Sequence, residues 1–310
     1  MSDRPTDVYL YGMTLITTSH RLAGKFPAAD SYSEIAESHR LPGGETGTCA
    51  VVLASLGLSV LLDGNHQGRG THAELEAYFR KTPVSMDLVT YDPEFAGLED
   101  IVFADAETRT CFGRFCAFYA DASRRRWNVP SATAIRRVQV AGIDPFFESE
   151  SIEAARLCDQ QAVGFVTIDC PLDSEIHGLA AVNIVSAEYL RGHYPEQDTE
   201  TLFGDYTDRT EGLVVFTFGA KEIWYGRRGE GISRFEPFQV EVASTLGAGD
   251  SFKAGAIYAL HAGMDDSMLV RFASATAAAA CMNYPIAGKP PTLEAVTAIA
   301  GERFGPGDGL

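Results

Sequence analysis

The sequence lacks the short motifs that mark several common enzyme classes. It contains no Gly-x-x-x-x-Gly-Lys-Ser/Thr segment, which excludes a P-loop phosphate site. No Gly-x-Gly-x-x-Gly opens the first predicted helix, which argues against a dinucleotide-binding fold. Neither His-Glu-x-x-His nor Gly-x-Ser-x-Gly is present, so zinc proteases and α/β-hydrolases are excluded as well.

Positive charge and long apolar runs are also scarce. The chain has 25 Lys and Arg residues against 42 Asp and Glu residues, for a formal net charge of −17. Such a chain does not attract the phosphates of nucleic acids or of anionic lipids, so we expect neither nucleic acid nor membrane as a partner. No apolar stretch is long enough to span a bilayer, and the polar N-terminus does not resemble a signal peptide.

The cysteines show no pairing pattern. Six cysteines are scattered, mostly among apolar residues, and no Cys-x-x-Cys occurs. This distribution is typical of buried free thiols in a reducing compartment rather than of disulfides or zinc sites. Together with the polar N-terminus, it predicts a cytoplasmic protein.

What the sequence does contain is an alternation of strand and helix patterns over its 310 residues. The predicted strands are 8–11, 58–62, 138–142, 164–168, 181–185 and 212–217, and the predicted helices are 48–56, 71–80, 151–161, 252–261 and 267–282. This alternation predicts an α/β fold in which helices cover both faces of a mostly parallel sheet, a three-layer α/β/α sandwich. Because no linker or repeat interrupts it, we expect one domain over residues 1–310.

Two segments depart from this alternation. Residues 24–41 are polar and predict a loop, whereas 101–119 contain strand-like runs, notably 109–119. Antiparallel strands in this second region would not belong to the main sheet. We therefore expect a small β lid built from residues of about 13–42 and 101–130.

The most informative segment is Leu-Gly-Ala-Gly-Asp-Ser-Phe-Lys at 246–253, between a predicted strand at 238–242 and the helix 252–261. Free backbone N–H groups at such a glycine turn, together with the positive end of the helix dipole, form an anion site. A carboxylate at this place repels a bound anion, but Asp250 suits a base that takes a proton from a hydroxyl attacking a phosphoryl group. The alternative is that Asp250 only caps the helix.

Three segments of the chain resemble the ribokinase-like (PfkB) family of carbohydrate and nucleoside kinases. Residues 244–255, Ser-Thr-Leu-Gly-Ala-Gly-Asp-Ser-Phe-Lys-Ala-Gly, are similar to the C-terminal signature of that family. Residues 43–50, Gly-Gly-Glu-Thr-Gly-Thr-Cys-Ala, resemble its N-terminal diglycine signature, and 217–219, Thr-Phe-Gly, resemble its turn near the nucleotide. The three segments occur in the family's order across nearly the whole chain, which implies the ribokinase-like fold.

The resemblance also implies a catalytic arrangement. The backbone at Gly247, Ala248 and Gly249 would stabilise charge on the γ-phosphoryl group of ATP, and Asp250 would be the general base. Mg²⁺ would accompany ATP, held largely by phosphates and water, and we expect Glu188 to contact it indirectly.

The same resemblance implies two binding regions. Gly43 and Gly44 would let the acceptor approach the backbone closely, with a plain loop as the alternative. The residues assigned to the nucleotide are Thr217, Gly219, Ser244 and Thr245. For Gly219 the alternative is an ordinary hairpin turn.

The chain also departs from the family pattern. Thr17 stands where the family commonly has a sugar-binding Asp, Thr48 replaces an Asn, and Ser244 replaces the first Asp of the C-terminal signature. We still assign Thr17 and Thr48 to the acceptor site, whose substrate is not bound as ribose is in typical members. Ser244 removes a residue that helps shape a monovalent cation site, so cation activation is not expected from the sequence.

Three further residues could belong either to the site or to the protein surface. Asn65, in a loop at the carboxyl end of a predicted strand, is a candidate substrate contact. Arg114, within an apolar run, could reach a substrate across the lid, and the alternative is an arginine that points to water. For Lys253, one turn into its helix, we expect a solvated side chain rather than a phosphate ligand.

Together these features predict an ATP-dependent phosphotransferase that acts on a hydroxyl of a sugar or related small polar metabolite. The alternatives are a nucleoside kinase and a non-catalytic relative that binds nucleotide or sugar. The resemblance also implies a homodimer through the lid, which the composition does not indicate.

Overall fold

The computed structural model describes residues 6–105, 108–120 and 125–301. The strands are β1 (Val8–Gly12), β2 (Leu15–Leu22), β3 (Ile35–Gly43), β4 (Val60–Gly64), β5 (Gln67–Gly68), β6 (Val84–Ser85), β7 (Tyr91–Asp92), β8 (Glu99–Ala104), β9 (Arg109–Gly113), β10 (Val140–Ile143), β11 (Gly164–Ile168), β12 (Val182–Ser186), β13 (Leu213–Thr217), β14 (Ile223–Gly226) and β15 (Ser233–Phe235). The helices are α1 (Glu45–Ser55), α2 (His72–Phe79), α3 (Phe115–Ala120), α4 (Ala132–Ile135), α5 (Glu148–Gln160), α6 (Glu175–Leu179), α7 (Ala187–His193), α8 (Thr199–Asp208), α9 (Ala248–His261), α10 (Asp266–Cys281) and α11 (Leu293–Ala300).

The main sheet has nine strands in the order β15-β14-β13-β12-β11-β10-β1-β4-β6. The pairs from β13 to β6 are parallel, whereas β14 and β15 are added antiparallel at one edge. Its central strands are buried on both faces, which explains their nearly continuous apolar sequences.

Helices cover both faces of this sheet. Along β1, Val8 and Leu10 pack into the apolar core beneath α1, α9, α10 and α11, whereas Tyr9 and Tyr11 pack into the core beneath α4, α5 and α6. A third apolar cluster lies between β13 and the helices α7 and α8. The predicted three-layer sandwich with a mostly parallel sheet is confirmed.

A separate sheet of four strands, in the order β3-β2-β8-β9, is called the small sheet below. Most of it lies in the two segments predicted to leave the main sheet, although β3 extends to Gly43 and β8 begins at Glu99. Residues 106–107 and 121–124 lie outside the described residues. The antiparallel strands expected within 101–119 are present as the pair β8 and β9, whereas β2 and β8 pair in parallel.

Two local predictions within the small sheet were wrong. The loop predicted at 24–41 contains most of β3, whose first residues are largely exposed on both sides and therefore lack the apolar alternation of a half-buried strand. The strand-like run 109–119 is divided between β9 and α3, which begins at Phe115.

Across the described ranges, no helix combines the length and apolar character needed to cross a membrane.

Candidate active site

A cavity of about 360 Å³ lies between the small sheet and the carboxyl end of the main sheet. One face of the small sheet supplies its outer wall, because the strand registers align Thr17 with Asp100 and Val102 with Cys111 on the same face. The opposite wall consists of the starts of α1 and α9 and the residues that follow β11 and β12. Side chains from distant parts of the chain therefore converge on one space.

The Gly-Ala-Gly-Asp turn forms part of that wall. Gly247 has the left-handed backbone conformation, with φ of 77°, and α9 begins immediately after it. The Ala248 N–H donates to the Thr245 carbonyl at 3.2 Å, so it is not available to an anion. The N–H groups of Gly249 and Asp250, in the first turn of the helix, have no acceptor within the described part of the chain. The Gly247 N–H also has no acceptor among the described residues, so of the predicted Gly247, Ala248 and Gly249 only the Ala248 N–H is occupied, and Asp250 adds a further free N–H.

Asp250 lies on the first turn of α9, at the cavity wall. The helix cap is Gly247, and the Asp250 carboxylate makes no hydrogen bond or ion pair within residues 6–105, 108–120 and 125–301, so the helix-cap alternative was wrong. Burial, and then the negative charge of Glu45, raise the pKa of Asp250 well above its usual value, while Lys253 lowers it. A carboxylate with a raised pKa and no partner is suited to accept a proton.

Glu45 is a second acidic group of the cavity that the sequence analysis did not select. It occupies the first turn of α1, directly after the diglycine, and that position is the signal that could have identified it. Burial, and then the charge of Asp144, raise the pKa of Glu45 to about 7. The negative charge of Glu45 therefore raises the proton affinity of Asp250, and the protonation of Asp250 depends on that of Glu45.

Lys253 is not solvated, contrary to expectation. Its side chain is fully buried and forms an ion pair with Asp144, which is also fully buried. Asp144 accepts further hydrogen bonds from the Thr46 hydroxyl at 2.6 Å and from the Met13 N–H at 3.2 Å. The prediction failed because every residue from Ser251 to Ala259 of α9 is buried, so a lysine at this position cannot reach water.

The diglycine permits close contacts within the protein itself. A Cβ on Gly43 would lie 1.9 Å from the Thr17 hydroxyl, and Gly44, with φ of 77°, faces the Met13 carbonyl. Both glycines line the cavity, as do Thr17 and the buried Thr48. These four predicted residues are therefore brought together.

The predicted contacts Asn65 and Arg114 do not line the cavity. Arg114 is exposed, and the neighbouring β9 residue Arg109 lines the cavity instead. Asn65 is buried, and its amide accepts from the Thr14 N–H at 2.8 Å and donates to the Thr14 carbonyl at 2.9 Å. Its role in the structure is to satisfy the backbone between β1 and β2.

We expect the Asn65→Ala variant to lose about 1–3 kcal/mol of unfolding free energy, because the buried Thr14 N–H would have no partner. Urea denaturation of both proteins measures this difference. Unchanged stability would contradict the structural role assigned to Asn65.

A second cavity, of about 470 Å³, adjoins the first along the other side of the glycine turn. It is lined by the predicted residues Thr217, Gly219 and Thr245, and it shares Arg109, Ser186, Glu188 and Gly249 with the first cavity. Ser244 does not line it: this residue is buried, and its hydroxyl accepts from the Leu246 N–H at 3.2 Å.

The strand predicted at 238–242 is irregular chain that lines this second cavity. Its alternating apolar residues Phe238, Val240 and Val242 serve as a cavity wall rather than as one face of a sheet. Periodicity alone cannot separate these two uses.

The two cavities meet at an ion pair. Arg109, from β9, lies 3.3 Å from the carboxylate of Glu188, which follows β12, and both residues line both cavities. Asp169 lies beside this pair and accepts hydrogen bonds from the Ser186 N–H at 2.7 Å and hydroxyl at 3.0 Å. The junction thus combines one guanidinium, two carboxylates and the free N–H groups of α9.

Comparison with known proteins finds a family match and a shared fold over nearly the whole chain. Residues 6–287 match the family described as pfkB family carbohydrate kinase. A 74-residue segment is 41% identical to a 1-phosphofructokinase of Haemophilus influenzae, which covers 23% of this chain and 23% of that relative. The chain therefore spans about a quarter of the length of this curated relative.

Two solved structures share the fold over nearly the whole chain. A putative ribokinase from Agrobacterium tumefaciens is 16% identical, with a TM-score of 0.83 over 96% of this chain and 97% of that one. The ribokinase of Arabidopsis thaliana, solved with ribose and ATP, is 16% identical, with a TM-score of 0.75 over 97% of this chain and 100% of that one.

Proposed function

Because the chain belongs to the pfkB family of carbohydrate kinases, we propose that it transfers the γ-phosphoryl group of ATP to a hydroxyl of a sugar or related small polar metabolite. The observation that carries this proposal is the pair of cavities that meet at the start of α9. The second cavity suits the nucleotide, and the first, called the acceptor cavity below, suits the acceptor. Asp250 lies in the wall of the acceptor cavity, and Gly249 lies in the wall of both.

In this mechanism, Asp250 accepts the proton of the attacking hydroxyl. The N–H groups of Gly249 and Asp250 and the Arg109 guanidinium stabilise the negative charge of the transferred group. The small sheet acts as the lid and limits the access of water, so that the hydroxyl rather than water attacks the phosphoryl group. Thr217, Gly219 and Thr245 contact the nucleotide in the second cavity.

Mg²⁺ fits the junction of the two cavities. The described residues contain no group of three or more His, Cys, Asp or Glu side chains that could hold a metal alone. Mg²⁺, however, usually keeps several waters and binds through one or two carboxylates together with substrate phosphates. Asp169 and Glu188 supply such carboxylates, with Glu188 acting through water, and the ion would neutralise phosphate charge there.

The test is ADP formation with Mg²⁺–ATP and a panel of sugars, polyols and nucleosides. We expect acceptor-dependent ADP formation and a phosphorylated product, identified by mass spectrometry, with a sugar or polyol. Turnover with nucleosides alone would establish the nucleoside kinase instead. Tight ATP binding without turnover on any acceptor would favour the non-catalytic relative.

The raised pKa of Asp250 predicts that kcat/KM depends on pH. Asp250 must be ionised to act as a base, so activity is lost as pH falls through its pKa. Because the charge of Glu45 raises the pKa of Asp250, we expect Glu45→Gln to move the acidic limb of kcat/KM to lower pH. The measurement is a pH–rate profile over about pH 5 to 9.

The control for this profile is Glu99→Gln, which removes a carboxylate from the outer face of the small sheet. It should leave the limb in place. A limb that stays fixed in Glu45→Gln, or moves to higher pH, would refute the linkage between Glu45 and Asp250.

A homodimer through the small sheet is a further part of this proposal. It is supported by Ile101 and Phe112, two apolar side chains aligned in register and exposed on the outer face of that sheet. Light scattering of the purified protein tests it.

A further inference from the structure

The acceptor cavity contains a carboxylate, Asp100, that the mechanism above does not use. Asp100 lies on β8 and is aligned with Thr17 of β2 in the parallel pair of the small sheet. Both side chains line the cavity on the same face. The small sheet therefore presents a hydroxyl and a carboxylate side by side to whatever occupies this space.

The contacts of Asp100 are incomplete. Its Oδ1 atom is shielded from solvent and has no hydrogen-bond partner within the described residues. Burial raises the pKa of the Asp100 carboxyl group, and the neighbouring Thr17 hydroxyl lowers it. Because an unsatisfied buried acceptor is costly, a native structure rarely keeps one without a use for it. A hydroxyl group of a bound acceptor would supply the missing donor.

The other charges of the cavity limit which acceptors can bind. Its acidic lining residues are Glu45, Asp100, Asp169, Glu188 and Asp250. In the described lining the cation is Arg109, which is paired with Glu188 and reaches the second cavity. Lys253 lies nearby but is buried in its pair with Asp144. An acceptor with a phosphate or carboxylate group would therefore meet mainly negative charge and no unpaired cation.

We propose that Asp100 is a specificity-determining residue that accepts hydrogen bonds from hydroxyl groups of an acceptor without phosphate or carboxylate groups. This inference rests on the proposed phosphotransferase function and narrows it to uncharged polyhydroxy compounds. Thr17 supports the same contact from the adjacent strand. Asp100 binds the acceptor and does not take part in proton transfer, which belongs to Asp250.

The experiment compares Asp100→Asn, Asp100→Ala and the matched control Glu99→Gln, whose carboxylate lies on the opposite face of the same strand and pairs with Arg40. Each protein is assayed with uncharged sugars and with the phosphate esters of the same sugars. For Asp100→Ala we expect KM for the uncharged acceptor to rise about 10- to 100-fold, because a hydrogen bond to a charged group is lost. KM for ATP should stay unchanged, and Glu99→Gln should behave as the wild type.

Two further results are expected. Asp100→Asn should use the phosphate ester better relative to the uncharged sugar than the wild type does, because one repulsive charge is removed. The exchange Thr17→Asp with Asp100→Thr should recover part of the lost acceptor affinity, because it restores a carboxylate to the adjacent strand on the same face. A purely structural role for Asp100 would produce neither result.

The possible negative results distinguish a failure of the Asp100 inference from a failure of the proposed function. A wild-type preference for the phosphate ester, or an unchanged acceptor KM in Asp100→Ala, would overturn the inference while the phosphotransferase function stands. If the wild type transfers phosphate to no acceptor although it binds ATP, the proposed function fails, and this inference fails with it.

Discussion

The Asp250→Asn variant is expected to lose about 10²- to 10⁴-fold in kcat, the usual contribution of a positioned general base. Asparagine has nearly the shape of aspartate but cannot take the proton of the attacking hydroxyl. Within the described residues, the Asp250 carboxylate has no hydrogen bond or ion pair, so the change breaks no structural contact there. Burial already disfavours the charged form of Asp250, so its replacement by a neutral group should not destabilise the fold.

Single-turnover rates with Mg²⁺–ATP and the acceptor identified from the panel measure this effect, and ATP binding is measured in parallel. The matched control is Asp265→Asn, at the cap of the neighbouring helix α10, where asparagine caps as well as aspartate. It should keep the full rate. If Asp250→Asn retained activity within a few-fold of the wild type, Asp250 would not be the base.

Replacement of Lys253 by methionine is expected to cost about 3–5 kcal/mol of unfolding free energy. The variant leaves the fully buried Asp144 carboxylate without its cation, and among the described residues the Thr46 hydroxyl and the Met13 N–H remain to stabilise it. Urea denaturation at neutral pH measures the loss. Because Lys253 also lowers the pKa of Asp250, any remaining activity should have its acidic limb at higher pH.

The double variant Lys253→Met with Asp144→Asn separates charge from packing. It removes both charges and should recover much of the stability lost in the single variant, because the uncompensated buried charge is gone. The control is Arg80→Met, which breaks the exposed pair between Arg80 and Glu76 and should cost at most about 0.5 kcal/mol. If the double variant were less stable than Lys253→Met, an unpaired buried charge would not be the cause of the loss.

Local patterns in the sequence were sufficient for the main sheet and for the glycine turn. The nearly continuous apolar strands and the helix periods depend on near neighbours in the chain, so the three-layer sandwich could be predicted from them. Local patterns gave wrong predictions at 238–242, where alternating apolar residues line a cavity, and at β3, where the strand is largely exposed. In both cases the structure of the segment depends on which parts of the fold cover it, and the local sequence does not contain that information.

The same difference between local and distant information applies to the residues of the site. Gly247 and Asp250 are recognisable because a turn with a positive φ and the start of a helix are local features. Asn65 and Arg114 do not line the cavity, and in the case of Asn65 the reason is a partner distant in the sequence, Thr14.

The sequence by itself determined the fold class and the position of the turn that carries Asp250, because both follow from backbone conformation over a few residues. Only the tertiary structure decided which charges surround that turn. Lys253 and Asp144 are 109 positions apart and meet in the core, and Asp100 comes beside Thr17 only through the register of two strands. The interaction between buried charges depends on their distance in space and has no period along the chain, so the groups that bind the acceptor come together only when the sheet is assembled.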